Sequence, residues 1–103
     1  MIIDISTGDE LNKFLKGNEN DKAVLLFTAP SWCVPCMRLE PHIEALSKLT
    51  EVPIIRVNVD RAESSFIKSW AIQSVPTMIL MKDGFPVRPL KERTAISLDK
   101  EIE

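Results

Sequence analysis

Two cysteines, Cys33 and Cys36, are the only thiols in this 103-residue chain, and both lie in the stretch Ser31-Trp32-Cys33-Val34-Pro35-Cys36. Thiols at that spacing can exchange with disulfides, contribute to a metal site or close a short structural bridge. An apolar run, Ala23 to Ala29, precedes them, and an amphipathic stretch, Met37 to Leu49, follows. A strand ending in a turn that holds Cys33, with a helix starting there, puts one sulfur at a helix N-terminus. Unpaired N–H groups and the positive end of the helix dipole favour a thiolate at that place. Such an environment turns an inert thiol into a nucleophile near neutral pH.

The elements that must position this pair can be read along the chain. Ile2 to Ile5 is a short β-like run, and Thr7-Gly8-Asp9-Glu10 fits a capping box ahead of a helix from about Gly8 to Lys16. Residues 17–21 form a polar loop. Ala23 to Ala29 has no alternation, so it reads as a central strand covered on both faces. Leu39, Ile43, Leu46 and Leu49 make a helical stripe, with Pro41 inside it as an expected kink. Pro53 to Val59 is a second buried strand, Ala62 to Ala71 a short helix, and Thr77 to Met81 a third strand. Lys82-Asp83-Gly84 is a turn leading to Phe85. Pro86 and Pro89 cannot donate ladder bonds, which assigns the next strand to a sheet edge. Leu98 and Ile102 mark a final short helix. The order β-α-β-α-β-α-β-β-α implies an α/β fold: a mixed central β-sheet with helices on both faces, right-handed crossovers and a terminal hairpin.

Composition narrows the functional classes. One domain over residues 1–103 buries roughly two-thirds of its unfolded surface, enough for a core without disulfide or metal. The chain is 45% hydrophobic and 27% charged with a formal net charge of −2, and it shows no basic-aromatic stripe of a nucleic-acid binder. No apolar run approaches the length of a membrane span. The start, Met1-Ile2-Ile3-Asp4-Ile5, lacks the basic and apolar regions of a signal peptide, so a reducing, cytoplasmic setting is expected. There a CxxC pair is catalytic or metal-binding before it is structural. A disulfide closing so short a loop contributes only roughly 2 kcal/mol. Zinc needs four ligands, and His42, the only other soft candidate, is too far along the helix from Cys36. His42 itself reads as a surface or half-buried helix residue.

The chain resembles the thioredoxin family from Ile2 to about Glu101. The resemblance rests on Phe27-Thr28-Ala29 leading to Trp32-Cys33-Val34-Pro35-Cys36, on Pro41, on Val57-Asn58-Val59-Asp60, and on Val75-Pro76-Thr77 ahead of a strand ending Lys82-Asp83-Gly84. It implies the thioredoxin fold and a thiol–disulfide oxidoreductase that reduces protein disulfides through a redox-active Cys33–Cys36 disulfide. Cys33, exposed at the helix start, would attack; Cys36, more buried, would resolve the mixed disulfide. Pro76 would be cis opposite the pair, and the Val75 backbone would bond a substrate main chain by β-augmentation. Trp32, Val34, Pro35, Ser74, Val75 and Pro76 would bind substrate, and Trp70 either borders the same groove or simply packs. Neither a metal nor an organic cofactor is implied. Electrons would come from a thioredoxin reductase or a glutathione-type system, and the protein would act as a monomer on disulfide-containing proteins, without nucleic acid or membrane. An oxidase or isomerase, a redox-inactive binding subunit, and the soluble part of a membrane-tethered reductant remain as alternatives.

Three departures from the family pattern stand out. The buried aspartate usual beneath the resolving cysteine corresponds to Leu26 if one extra residue, Pro30 or Ser31, is accepted before Trp32, and otherwise to Phe27. Its lysine partner corresponds to Arg56, which stays protonated. Arg56 is therefore expected either to lean toward the cysteines in an electrostatic role or to reach the surface and pair with an acid. Val34 replaces a glycine. The loop bordering the groove is charged at Lys91-Glu92-Arg93, and the final helix is short; the charged, bulkier rim should narrow the range of partners or reverse the charge they prefer.

Overall fold

The computed structural model describes residues 1–18 and 21–103. The polar loop expected at 17–21 therefore lies partly outside the described residues. The chain runs β1 (Ile2–Ile5), α1 (Gly8–Gly17), β2 (Lys22–Thr28), α2 (Val34–Leu49), β3 (Ile54–Asn58), α3 (Ser64–Ser69), β4 (Thr77–Lys82), β5 (Phe85–Leu90) and α4 (Ala95–Glu101). This is the expected element order, in a five-stranded sheet of order β1-β3-β2-β4-β5. β1 and β2 flank β3 in parallel, whereas β4 is antiparallel to both β2 and β5.

β2 sits at the centre because its residues are apolar on both sides. Side chains alternate across a strand: Val24 and Leu26 join Leu39, Ile43 and Leu46 of α2 and Leu98 of α4 in one core. Ala23, Leu25 and Phe27 enter a second core with Leu11 of α1 and Phe66 of α3. Met78 and Met81, expected in the core, are each 1% exposed. Each fully buried leucine or phenylalanine contributes roughly 1.5–3 kcal/mol, so two covered faces hold β2, and the loop after it, in place.

The element ends follow local chemistry. Thr7 Oγ1 accepts the Glu10 N–H at 3.1 Å, while the Glu10 carboxylate reaches back to the Ser6 N–H at 3.0 Å, one residue beyond the usual partner. The β4–β5 turn has Asp83 at φ 54° and Gly84 at φ 82°, two left-handed positions that suit Asp-Gly and match the twist of a hairpin. β5 lies at the sheet edge, as its prolines require.

α3 is shorter than the expected Ala62 to Ala71. At its start the Ala62 N–H turns back to the Asn58 carbonyl at 3.0 Å. At its end Ala71 takes a left-handed φ of 53° directly after the C-cap Trp70. α2, in contrast, runs its full 16 residues through Pro41.

Candidate active site at the start of α2

β2 ends at Thr28, and the chain then turns through Pro30, Ser31 and Trp32 to reach Cys33. The turn is closed by the N–H groups of Trp32 and Cys33, which donate to the Ala29 carbonyl at 3.3 and 3.0 Å. Cys33 is the N-cap of α2, with extended backbone (φ −90°, ψ 107°). Its Sγ accepts the Cys36 N–H at 3.2 Å, the bond a serine or aspartate oxygen makes at other helix starts. Pro35, in the first turn, has no N–H to leave unpaired. The two cysteines are joined as a disulfide, with Cα atoms 5.2 Å apart.

Cys33 was expected to be exposed, and the structure corrects this: it is 5% exposed, against 1% for Cys36. Val59 and Val75, from the loops after β3 and before β4, pack on the pair together with Ala29. The Val75 carbonyl oxygen stands 3.6 Å from Cys33 Sγ. Deeper in, the Ala29 N–H donates to Cys36 Sγ at 3.5 Å. Both sulfurs thus face a backbone N–H, which favours negative charge on either one.

Around this buried pair the surface is apolar. Trp32 is 61% exposed, Val34 51% and Met37 43%. Pro35 and Ser74 are exposed, and Val75 and Pro76 are half-buried. The Val75–Pro76 peptide bond is cis. The fold therefore brings Val75, from the loop before β4, against the cysteines, with Ser74 and Pro76 as its neighbours in the chain. Trp70 packs on Phe27, with ring centroids 6.1 Å apart. It also borders a groove of about 500 Å³ that includes Ser74 and Thr77 and runs to Val87 and Pro89 of β5; neither cysteine lines that groove.

Arg56 does not lean on the cysteines. Its Nε and Nη2 donate to the two carboxylate oxygens of Asp4 at 2.6 and 3.0 Å, and its Nη1 to Glu40 at 2.9 Å. Glu44 adds a longer contact at 3.9 Å. The guanidinium hydrogen bond, aided by its charge and opposed by partial burial, holds the Asp4 carboxyl below its ordinary 3.8. The same hydrogen bond, together with the charges of Glu40, Asp4 and Glu44, raises Arg56. Asp4, Glu40 and Arg56 line a cleft of about 570 Å³ with Thr28, Pro30, Asn58 and Arg61.

Sequence reasoning did not single out Asp60 as a site residue. Its carboxylate accepts the Trp32 indole N–H and the Ser31 hydroxyl. The available signal was an acid directly after a buried strand, at the same sheet end as the cysteine turn. Met37, one residue past Cys36 and off the buried stripe, adds to the exposed apolar surface. Among the described residues, no group of three or more His, Cys, Asp or Glu gathers as a metal site. No helix there is long and apolar enough to cross a membrane.

A mixed five-stranded sheet with a vicinal cysteine pair capping the helix after the central strand defines a class: thioredoxin-fold proteins built for thiol–disulfide chemistry. The family model described as Thioredoxin matches residues 3–103, and the chain belongs to the thioredoxin family. It is similar to a thioredoxin of Chlorobaculum thiosulfatiphilum, 41% identical over 68 residues, covering 64% of this chain and 62% of that protein. A thioredoxin H-type of Ricinus communis is 33% identical over 70 residues, covering 67% of this chain and 58% of that protein. The matched stretch is thus less than two-thirds of either relative's length. Among solved structures, Fasciola hepatica thioredoxin superposes with a TM-score of 0.84 at 29% identity, covering 97% of this chain and 95% of that one. The reduced Schistosoma mansoni thioredoxin pre-protein gives 0.84 at 26%, covering 98% and 94%.

Proposed function

We propose that this protein is a thiol–disulfide oxidoreductase that reduces disulfides in other proteins. The observation that carries the reading is the Cys36 N–H aimed at Cys33 Sγ, 3.2 Å away at the start of a 16-residue helix. In the dithiol form that arrangement stabilises a Cys33 thiolate. The thiolate attacks one sulfur of the substrate disulfide; the other sulfur leaves as a thiolate and takes up a proton. Cys36 then loses its proton and attacks Cys33 Sγ, releasing the second substrate thiol and leaving the Cys33–Cys36 disulfide. Two electrons pass to the substrate, and a thioredoxin reductase or glutathione-type system restores the dithiol.

The exposed faces of Trp32, Val34 and Pro35, together with the Ser74-Val75-Pro76 backbone, form the surface for the substrate segment. The deep setting of Cys33 suits an extended chain laid across Val75, which brings its disulfide down to the sulfur. We further take the protein to be a cytoplasmic monomer of one domain over residues 1–103, needing no bound cofactor.

The test is a trapping experiment. Cys36→Ser cannot complete the second step and should accumulate mixed disulfides with partner proteins through Cys33, while the Cys33→Ser, Cys36→Ser double variant accumulates none. If the parent reduces no protein disulfide and the single variant traps no partner, the proposal is wrong.

A further inference from the structure

Beside the cysteine motif, on the opposite flank of α2 from Arg56, lies a small cavity of about 280 Å³ lined by Pro35, Arg38, Leu39, His42, Arg93 and Thr94. Pro35, Arg38, Leu39 and His42 follow the helical i, i+3, i+4, i+7 spacing, so they share one face of α2. Arg93 arrives from the loop between β5 and α4. Among the described residues, neither Arg38 nor Arg93 forms an ion pair, whereas Arg56 and Arg88 both do. Arg93 is nonetheless held in place: its Nη1 donates to the carbonyls of Lys91 and Glu92 at 3.1 and 3.0 Å. Among the described residues, its other side-chain N–H groups make no hydrogen bond. The Glu101 carboxylate near this rim accepts the Lys91 and Glu92 N–H groups and pairs with Arg88 at 3.8 Å, and neither Glu92 nor Glu101 lines the cavity.

Two arginines and a histidine thus converge on a cavity with no acid in its lining. We propose that this cavity is a specificity site for a carboxylate side chain of the disulfide-bearing partner, and that the preferred partners carry Asp or Glu close to the attacked cysteine. The inference rests on the oxidoreductase reading above and deepens it.

Size and reach both fit. The volume is just under the roughly 300–1,000 Å³ of small-molecule pockets, suited to one or two side chains. Arg38 lies five positions beyond Cys33, about 7–8 Å along the helix at 1.5 Å per residue. An extended segment advances about 3.3 Å per residue, so a residue two or three positions from the attacked cysteine reaches the cavity. Arginine forks grip a carboxylate in two parallel bonds, which gives direction as well as charge. The apolar floor of Pro35 and Leu39 takes the methylene carbons of the same side chain.

The test uses three disulfide peptides that differ only three residues from the cysteine, as Glu, Gln or Lys, with second-order reduction rates measured at low salt. The Glu peptide should be reduced about tenfold faster than the Lys peptide, as electrostatic steering allows, and the ratio should collapse in 0.5 M salt. In Arg38→Gln, Arg93→Gln the ratio should fall to near one. Arg38→Glu, Arg93→Glu should reverse the preference toward Lys, a gain that misfolding cannot produce. Equal rates for all three peptides in the parent, or an unchanged ratio in the variants, would overturn the cavity's role while leaving the oxidoreductase reading intact. Reduction of none of the peptides would overturn both.

Discussion

The indole Nε1–H of Trp32 donates to both carboxylate oxygens of Asp60, at 3.0 and 2.9 Å, and the Ser31 hydroxyl donates to one of them at 3.1 Å. Asp60 is itself fixed, because its N–H donates to the Asn58 side-chain oxygen at 3.0 Å. The strand end of β3 thereby holds the residue before Cys33, although Trp32 is otherwise largely in solvent. Asp60→Ala should release the ring, lower stability by about 1 kcal/mol and slow protein-disulfide reduction several-fold. Asp60→Asn keeps an oxygen acceptor and should recover most of the rate. Indole fluorescence anisotropy alongside the rates would check this; a ring equally fixed in both variants would show that packing alone orients Trp32.

Leu26 is fully buried in β2, in register with Arg56 of β3 and Met78 of β4. Leu26→Asp should cost about 3 kcal/mol at pH 7, since it buries a carboxylate without a dedicated partner. Burial raises such a group above about 3.9, so the part of the loss that comes from burying the charge should return as the pH falls, while the lost packing remains. If Cys36 gives its proton to water or to the departing thiolate, the added carboxylate should also speed exchange at pH 6–7. Equal rates in parent and variant would rule that out.

Arg56 spends its donors on Asp4 and Glu40, so Arg56→Met should leave the pH of Cys33 thiolate formation unchanged, as followed by ultraviolet absorbance of the reduced protein. A displaced titration would restore an electrostatic role for Arg56 toward the cysteines. Stability should respond instead. Asp4 is held below 3.8 in the folded state, so its contribution is complete above pH 3.8 and disappears as the pH falls through the depressed value. The variant should be about 0.5–1 kcal/mol less stable than the parent at pH 7, less so in high salt. Urea unfolding should show the Asp4 share of that difference vanishing at low pH.

The reduction potential separates a reductant from an oxidant or isomerase. With no histidine between the cysteines, equilibration against glutathione should give a value below roughly −180 mV, nearer the roughly −270 mV of a reductant. A value above roughly −180 mV would turn the reading to disulfide formation or isomerisation.

Local chemistry made most of the fold legible. The unbroken apolar run of β2 signalled two covered faces, Asp83-Gly84 a tight hairpin, and Pro86 with Pro89 an edge strand, because each depends on a few adjacent residues. The cysteine turn was legible for the same reason. The burial of Cys33 was not, since Val59 and Val75 come from loops far away in sequence. The partners of Arg56 were hidden too: Asp4 meets it only because β1 lies beside β3, and Glu40 only because of how α2 is rotated. The end of α3 turned on a left-handed alanine, for which the sequence carries no strong signal.

The bond from the Cys36 N–H to Cys33 Sγ has one more consequence. In the proposed cycle, the group that readies the attacking sulfur belongs to the main chain of the resolving residue, not to its side chain. Val34, Met37 and even the Cys36 sulfur can therefore be exchanged without disarming Cys33, so potential and partner choice can drift while the nucleophile stays primed. Only Cys36→Pro would delete the donor itself.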